Sequence, residues 1–364
     1  MTPRLFRPTA IGPQTLVNRI VVAPMCQYSA VDGNATTWHH VHLGSLALSG
    51  AGLLMVEATA VEERGRITHG CLGLYSDANE AALSDVVRTV RAVSDVKLGI
   101  QISHAGRKAS SQAPWDGGRA LGADAGAWET VAPSMLRFTE GWHEPAELTP
   151  HEIEGLVAAF SGAAGRAARI GFEVVEMHAA HGYLLHQFLS PLANKRTDQF
   201  GGDLPNRMRF PLMVFEAMRA ACPDHVAVGA RISGSDWLPG GFDQDEAAAF
   251  AAKLRDRGCA YVDVTSGGLD PTARIVAEAN YQVGFAAQVR AATGMPVRAV
   301  GLVTDPKQAE AIIADGSADM VALARAMLAD PRWPWRAAHA LGATLAWPQQ
   351  YRRAGPAHWT SGAE

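Results

Sequence analysis

Short apolar runs rich in β-branched residues recur along the chain, and segments with helical spacing separate them. Strands that are buried on both faces of a parallel sheet give runs of this kind, and crossover helices give the segments between them. The runs predict eight strands, at residues 20–25, 53–57, 98–102, 173–178, 226–232, 261–264, 297–300 and 320–323. Eight strands alternating with helices predict an α/β fold, the closed (β/α)8 TIM barrel.

Two of the intervening helices have clear start signals. Thr149 and Glu152 have the spacing of a capping box, in which each side chain accepts from the other residue's backbone N–H, and Gly171 marks the end of that helix. Asp243 and Glu246 repeat the same reciprocal pattern. Both signals predict helices between consecutive strands of the barrel.

One connection, residues 104–149, is much longer than the others. It is rich in Gly, Ala and Ser and contains Trp115, Trp128 and Trp142. Inserts of this length in compact domains are usually lids or disordered segments, and the three tryptophans favour an ordered cap. We therefore expect a single domain over residues 1–364, with a capping insertion at 104–149 after the third strand and a C-terminal tail at 345–364.

Composition narrows the class of protein. Apolar residues make up 48% of the chain and charged residues 19%, which is enough for a large core. The net charge of −4 gives no reason to expect nucleic acid or an anionic membrane as a partner. The N-terminus has no long apolar segment, and residues 46–61, the most apolar stretch, are interrupted by Gly, Ser and Glu57. We expect a cytoplasmic protein.

The four cysteines are far apart, and none belongs to a C-x-x-C pair. Disulfide frameworks, iron–sulfur clusters and structural zinc sites need closer groupings. The spacing therefore predicts no cysteine-based metal site. The cysteines are Cys26, Cys71, Cys222 and Cys259.

Polar residues collect where the predicted strands end, which is where barrels of this kind place their active sites. Gly301 and Arg325 follow the seventh and eighth strands, the usual phosphate position, because glycine allows close backbone approach and arginine matches phosphate oxygens. The alternative is a turn glycine and a surface salt bridge.

Arg231 and Gln101 close the fifth and third strands. Together they offer a cation, a donor and an acceptor that could read the polar edge of a planar heterocycle. A buried guanidinium needs a partner, so the alternative is an internal ion pair of Arg231 with Glu176 or Asp263.

The sequence "EMHAAHGY" places His178, His181 and Tyr183 at the end of the fourth strand. Two imidazole N–H groups could hold one substrate oxygen, and a phenol could deliver a proton. A metal site would need at least a third ligand, for which His186 and Glu176 are candidates, but no H-E-x-x-H motif or cysteine companion is present. Simple packing also stays open.

Several stretches occur in an order that resembles the Old Yellow Enzyme family of FMN-dependent ene-reductases, in particular its thermophilic-like (xenobiotic reductase) subclass. The combination of "HAGRK" with "HAAHGY…NKRTD.FGG" is highly specific. The matching stretches are "APMCQY" (23–28), "VEATAV" (56–61), "QISHAGRKA" (101–109), "HAAHGYLLHQFLSPLANKRTDQFGG" (178–202), "NRMRF" (206–210) and "ARAMLADP" (324–331).

The resemblance implies noncovalent FMN, with NADPH as co-substrate. It implies that the backbone along the flavin comes from Ala23, Pro24, Met25 and Cys26, that contacts to the ring's polar atoms come from Ala58, Gln101 and Arg231, and that the phosphate contacts come from Gly301, Ala324 and Arg325. Cys26 matches the subclass, whereas other members carry threonine there. Ala324 departs from the glycine usual before the arginine, but its N–H is retained.

The implied reaction is a hydride transfer from FMN N5 to the β-carbon of an α,β-unsaturated aldehyde, ketone, imide or nitroalkene, with a proton added at the α-carbon. His178 and His181 would hold the activating oxygen, and Tyr183 would supply the proton, for which Tyr28 or water is an alternative. Tyr28, Cys26 and Trp359 would face the substrate.

The family habit also implies a homodimer or homotetramer, in which the tail carrying Trp359 reaches a neighbouring subunit. Three other functions stay open at this point. They are a multidomain dienoyl-CoA reductase type of barrel, which would need a cysteine cluster, a metal-dependent barrel hydrolase and a noncatalytic FMN-binding protein.

Overall fold

The eight predicted strands are present, run parallel and close on themselves into a barrel, which confirms the predicted fold. The computed structural model describes residues 2–355. The barrel strands are β1 (Ile20–Val22), β2 (Leu53–Ala60), β3 (Lys97–Ser103), β4 (Val174–Ala179), β5 (Ala227–Ser233), β6 (Val262–Thr265), β7 (Val297–Val300) and β8 (Met320–Leu323). An antiparallel hairpin, Thr9–Ile11 with Gln14–Leu16, precedes the barrel.

Helices surround the barrel and pack their apolar faces against the outer surface of the strands. They are α1 (Thr37–Ala47), α2 (Asp77–Arg91), α3 (Pro150–Ile170), α4 (Leu184–Leu189), α5 (Leu204–Ala221), α6 (Gln244–Arg255), α7 (Val283–Thr293), α8 (Pro306–Ala314), α9 (Arg325–Ala329) and α10 (Trp333–Ala340). Among residues 2–355, no helix combines the length and the apolar character needed to cross a lipid bilayer.

Three strands differ from the prediction in length. β3 extends one residue further at each end, from Lys97 to Ser103, and the other two differ for local reasons. β1 ends at Val22 rather than residue 25, because Ala23 donates the last pairing hydrogen bond, to Leu323 O at 3.0 Å, and Pro24 has no N–H. β2 runs on to Ala60, with a register shift between Val56 and Ala58. This bulge brings Ala58 level with Gln101 of β3.

The helix-capping predictions are confirmed for α3 and only half correct for α6. Thr149 and Glu152 cap each other's backbone N–H at 3.2 and 2.9 Å, and Gly171 ends the helix at φ +101°. Asp243 accepts from the first turn of α6, as expected. The Glu246 side chain, however, forms an ion pair with Arg207 instead of reaching back to Asp243, so the reciprocal bond was wrongly predicted.

The insertion at residues 104–149 consists of short 3-10 turns and one two-residue parallel strand pair, Val131–Ala132 with Ala146–Glu147. Trp128 Nε1 donates to the Arg64 carbonyl at 3.0 Å. The buried Arg107 guanidinium donates to the carbonyls of Leu136, in the insertion, and Leu269, after β6. The insertion is therefore tied to loops at the carboxyl ends of the strands.

Candidate active site at the carboxyl ends of the barrel strands

A cavity of about 200 Å³ opens at the carboxyl ends of β5 to β8. The sequence predicted five of the residues that line it from separate parts of the chain: His181, Arg231, Gly301, Ala324 and Arg325. The barrel brings them together because parallel strands end at one rim.

The backbone at Gly301 requires glycine. Its φ is +113°, and an added Cβ would lie 2.4 Å from Gln282 Nε2 and 2.9 Å from the Tyr281 ring. Arg325 begins α9 and is exposed at the cavity. Within residues 2–355 it forms no ion pair with a carboxylate, so the surface salt bridge considered as an alternative is not found. This end of the cavity presents a cation that has no carboxylate partner among the described residues.

Gln101 and Arg231 are each anchored to a buried carboxylate. Gln101 Nε2 donates to Glu176 Oε1 at 2.7 Å. Arg231 Nε lies 3.4 Å from Asp263 Oδ1, so the ion pair considered as an alternative is present. In the described chain, Arg231 Nε nevertheless has no well-aligned hydrogen-bond partner. The ion pair leaves Arg231 at the cavity wall with donor capacity for a ligand.

Beneath these two residues, a fully buried Arg298 holds both carboxylates. Its guanidinium bonds to Asp263 and Glu176 and lies 5.1 Å above the Tyr261 ring. Tyr261 donates its hydroxyl to Glu176 Oε2 at 2.7 Å. The interior of the barrel thus contains a connected polar network that fixes the positions of Gln101 and Arg231.

The segment after β1 is held by a third buried carboxylate. Glu57, in the bulge of β2, accepts from the Gln27 N–H at 3.0 Å and lies 3.3 Å from His39 Nε2. Burial, and then the Glu57 charge, raise the pKa of the Cys26 thiol well above its usual range. Burial likewise raises the pKa of the Tyr28 phenol. Cys26 and Tyr28 therefore carry their protons at neutral pH.

The histidine pair and Tyr183 are in mutual contact. His178 lies at the end of β4, and His178 Nε2 is 3.3 Å from His181 Nδ1, with the rings at 84°. The Tyr183 ring packs edge-on against His178 at 5.1 Å. His181 Nε2 lies 2.9 Å from Thr265 Oγ1 at the end of β6. The three predicted side chains form one cluster at the rim of the barrel.

The turn that carries His181 has a left-handed backbone, with φ +59° at His181 and +71° at Gly182. His186 supports it from below, because His186 Nδ1 accepts from the Gly182 N–H at 2.9 Å while Nε2 lies 3.0 Å from Asp236. Lys108 supports it from above, where Nζ donates to the His181 carbonyl at 2.8 Å. A non-glycine residue in the left-handed region, held from two sides by His186 and Lys108, is typical of a functional site.

The two candidate metal ligands are used elsewhere. His186 pairs with Asp236, and Glu176 pairs with Arg298. Residues 2–355 contain no group of three or more histidine, cysteine, aspartate or glutamate side chains arranged to hold a metal ion.

Burial, with the Arg231 cation as the next cause, lowers the pKa of His178 and His181 well below the usual range. Burial raises the pKa of the Tyr183 phenol well above its usual range. At neutral pH the pair is uncharged, each ring carries one N–H, and the phenol keeps its proton. These are the protonation states of hydrogen-bond donors and of an acid.

Several cavity residues were missed by the sequence reasoning, among them Tyr281 and Gln282. These two lie just before α7, and Gln282 is seventeen residues beyond Thr265, the last residue of β6. The connecting loop has no periodic pattern, so nothing local indicates that it folds back to the cavity. The predicted substrate contact Trp359 lies outside the described residues.

A closed βα barrel with an anion-accepting end, a buried polar wall and a neutral histidine pair defines a cofactor-dependent barrel enzyme. The model of the NADH:flavin oxidoreductase / NADH oxidase family matches residues 4–343. The chain belongs to this family, and the predicted membership of the Old Yellow Enzyme family is confirmed. It is an oxidoreductase that uses FMN and a nicotinamide cofactor.

Individual relatives agree. The chain is 40% identical over 355 residues to an NADPH dehydrogenase from Geobacillus sp. (strain WCH70), covering 97% of this chain and 99% of the relative. It is 41% identical over 355 residues to an NADPH dehydrogenase from Geobacillus thermodenitrificans, with the same coverage. Morphinone reductase has a similar structure, with a TM-score of 0.78 and 31% identity over 100% of this chain and 95% of that protein.

The residues present fit FMN. Gly301 and Arg325 line the cavity, Arg325 is an unpaired cation among the described residues, and Arg231 Nε is a buried donor without an aligned partner. Donors of this kind bind an anionic phosphate and the hydrogen-bond acceptors at the edge of a planar ring.

Proposed function

We propose that this protein is an NADPH-dependent ene-reductase that saturates C=C bonds conjugated to an electron-withdrawing group, in aldehydes, ketones, imides or nitroalkenes. The observation that carries the proposal is the contact between His178 and His181, 3.3 Å from Nε2 to Nδ1, with the Tyr183 ring packed edge-on against His178. Bound FMN supplies the hydride at N5, which it obtains from NADPH. The groups that bind the substrate oxygen and deliver the proton come from the chain.

The histidine pair binds and activates the substrate oxygen. That oxygen gains negative charge as the β-carbon accepts hydride, and a fixed N–H donor in a water-poor site stabilises such charge by a few kcal/mol. His178 is buried, and Ala180 and Tyr183 restrict its ring. A donor that is already in place needs no reorganisation during the reaction.

Tyr183 gives the proton to the α-carbon. Its raised pKa keeps the proton on the phenol until a carbanion-like carbon forms beside it. Tyr28 is the second phenol at this rim, and its ring packs edge-on against Trp115 at 5.6 Å. We propose that Tyr28 and Cys26 contact the substrate, as does Trp359 from the tail.

The cofactor-binding residues follow from the same rim. We propose that Ala23, Pro24, Met25, Cys26 and Ala58 lie along the flavin, and that Gln101 and Arg231 contact its polar atoms. Gly301, Ala324 and Arg325 would hold the phosphate. We propose further that the chain belongs to the thermophilic-like subclass, works in the cytoplasm and forms a homodimer or homotetramer.

The test compares wild-type holoenzyme with the double variant His178→Ala/His181→Ala. The purified wild type should absorb near 450 nm and oxidise NADPH anaerobically when 2-cyclohexenone is added. The double variant should retain the flavin spectrum but bind and reduce the enone at least about 100-fold less well, because both oxygen donors are gone. Normal enone reduction by the double variant would remove the basis of the proposal.

A further inference from the structure

A chain of hydrogen bonds runs from the histidine pair into the barrel wall, and its far end has a fixed direction. The fully buried Gln282 donates through Nε2 to the Val300 carbonyl at 2.9 Å. Its amide oxygen therefore faces Thr265 and Ser266, whose hydroxyls donate to it at 3.2 and 2.6 Å. Thr265 has one proton, and that proton is used here.

The next bond follows from this one. Because its proton goes to Gln282, Thr265 Oγ1 can only accept from the ring nitrogen 2.9 Å away, Nε2 of His181. The proton of an uncharged His181 is then on Nε2, and Nδ1 carries a lone pair.

At the His178 end of this series of hydrogen bonds, the donor and acceptor are also fixed. The Ala180 N–H donates to His178 Nδ1 at 3.3 Å, so the proton of an uncharged His178 is on Nε2. This nitrogen faces His181 Nδ1 at 3.3 Å. One proton lies between the two facing nitrogens, so His178 donates and His181 accepts.

This arrangement offers a substrate oxygen one N–H, not two. A second donor requires a proton on His181 Nδ1, and there are two ways to put it there. His181 could become an imidazolium, which burial and Arg231 oppose. The uncharged ring could instead exchange tautomers if Thr265 turned its hydroxyl to donate to Nε2.

The neighbouring hydroxyl makes the second route available. When Thr265 turns away from Gln282, the amide oxygen still accepts from Ser266 at 2.6 Å. No buried acceptor is left without a partner, so the exchange avoids the usual penalty for an unsatisfied polar group.

We propose that Thr265 is a positioning residue that sets the tautomer of His181. It accepts from Nε2 in the substrate-free protein and donates to Nε2 when a substrate oxygen lies between the two rings. This inference rests on the proposed oxygen-binding role of the pair and adds to it the residue on which two-donor binding depends.

The experiment uses oxidised holoenzyme without NADPH, so that 2-cyclohexenone binds but is not reduced. In wild-type protein with 15N-labelled histidine, NMR should show the protonated nitrogen of His181 change from Nε2 to Nδ1 when the enone is added. Thr265→Val should weaken enone binding about 10- to 100-fold, since the enone-bound tautomer of His181 loses the hydroxyl that donates to Nε2. Thr265→Ser should restore both affinity and the tautomer change.

Thr59→Val is the matched control. Thr59 is a fully buried threonine at the end of β2 that donates to the Glu57 carbonyl at 2.9 Å and has no bond to the pair. It should bind the enone like wild type, and an equal loss in both valine variants would overturn the inference.

The outcomes separate the inference from the proposed function. If His178→Ala/His181→Ala loses enone binding but Thr265→Val does not, or if His181 keeps its proton on Nε2 with enone bound, the role of Thr265 is refuted and the oxygen-binding role stands. If the double variant binds the enone normally, both fail. The NMR result on wild type decides the question even if Thr265→Val does not fold.

Discussion

The change Arg298→Met tests whether the buried network holds the barrel together. Arg298 is fully buried inside the barrel and bonds to two carboxylates, Glu176 and Asp263, which are also fully buried. Methionine fills much of the aliphatic volume of arginine but removes the cation. Both carboxylates then lose their charged partner, and Gln101 and Arg231 lose the support behind their own partners.

The magnitude follows from the cost of isolating a buried charge. Removing one partner of a buried ion pair destabilises a protein by about 3–5 kcal/mol, and proton uptake by the remaining carboxylates limits the loss to that range. An unfolding entropy of about 2.1 cal/mol/K per residue gives about 0.76 kcal/mol/K for 364 residues. The melting temperature of the FMN-saturated protein should therefore fall by about 4–7 °C.

The matched control is Arg290→Met. Arg290 also makes two hydrogen bonds to one carboxylate, Asp319, at 3.0 and 3.2 Å, but its side chain is 40% exposed. Water screens this pair, so its loss should cost no more than about 1 kcal/mol. Melting is followed by circular dichroism in excess FMN. Similar shifts for the two variants would refute the argument from burial.

Three further changes test other parts of the site. Gly182→Ala should cost about 2–4 kcal/mol, because φ is +71° and the new Cβ would lie 2.2 Å from the Gly268 carbonyl oxygen. Gly202→Ala, at φ +83° with open space around it, should cost only about 1 kcal/mol. Equal losses of unfolding free energy for the two variants, measured by urea denaturation, would contradict the steric explanation. Burial, and then Arg107, lower the pKa of Lys108 to about 7 from 10.5, so the unfolded chain binds one more proton between these values. The unfolding free energy of wild type minus that of Lys108→Met should therefore rise as the pH rises from about 7 to 10.5, by up to about 1.4 kcal/mol per pH unit. A difference that does not change with pH would show that the pKa of Lys108 is not lowered. Tyr183→Phe should lower kcat by about 10²–10⁴-fold with enone Kd unchanged, and a loss confined to Kd would rule out the acid role.

The barrel was predictable because buried parallel strands leave a strong local pattern. The runs at 226–232 and 297–300 differ from the observed strands by one residue or none. The bulge in β2 was not predictable, because it depends on where Glu57 finds Gln27 and His39 after the barrel closes. Strand position is encoded locally, whereas register and bulges are set by tertiary contacts.

Site residues divide in the same way. Those at strand ends, such as Gln101 and Arg231, could be grouped from the sequence because the fold itself brings strand ends together. Gln282 and the partner of His186, Asp236, could not, since each lies in a loop whose return path has no periodic signal. Knowing the candidate donors from the sequence also did not give the positions of their protons.

Arg231 links the two ends of the site in a way that no sequence pattern reveals. Identified from the sequence as a contact to the polar edge of a planar heterocycle, it also adds to burial in lowering the pKa of both histidines. Under the proposed function, the cation that contacts the polar atoms of the flavin therefore also helps to keep the pair uncharged at the substrate. Only an uncharged imidazole retains a lone pair and can exchange tautomers, which is what the role of Thr265 requires. An imidazolium would donate from both nitrogens, and the direction of the Thr265 hydroxyl would then not matter. The tautomer of His181 therefore depends on the Arg231 cation, which helps to keep the ring uncharged.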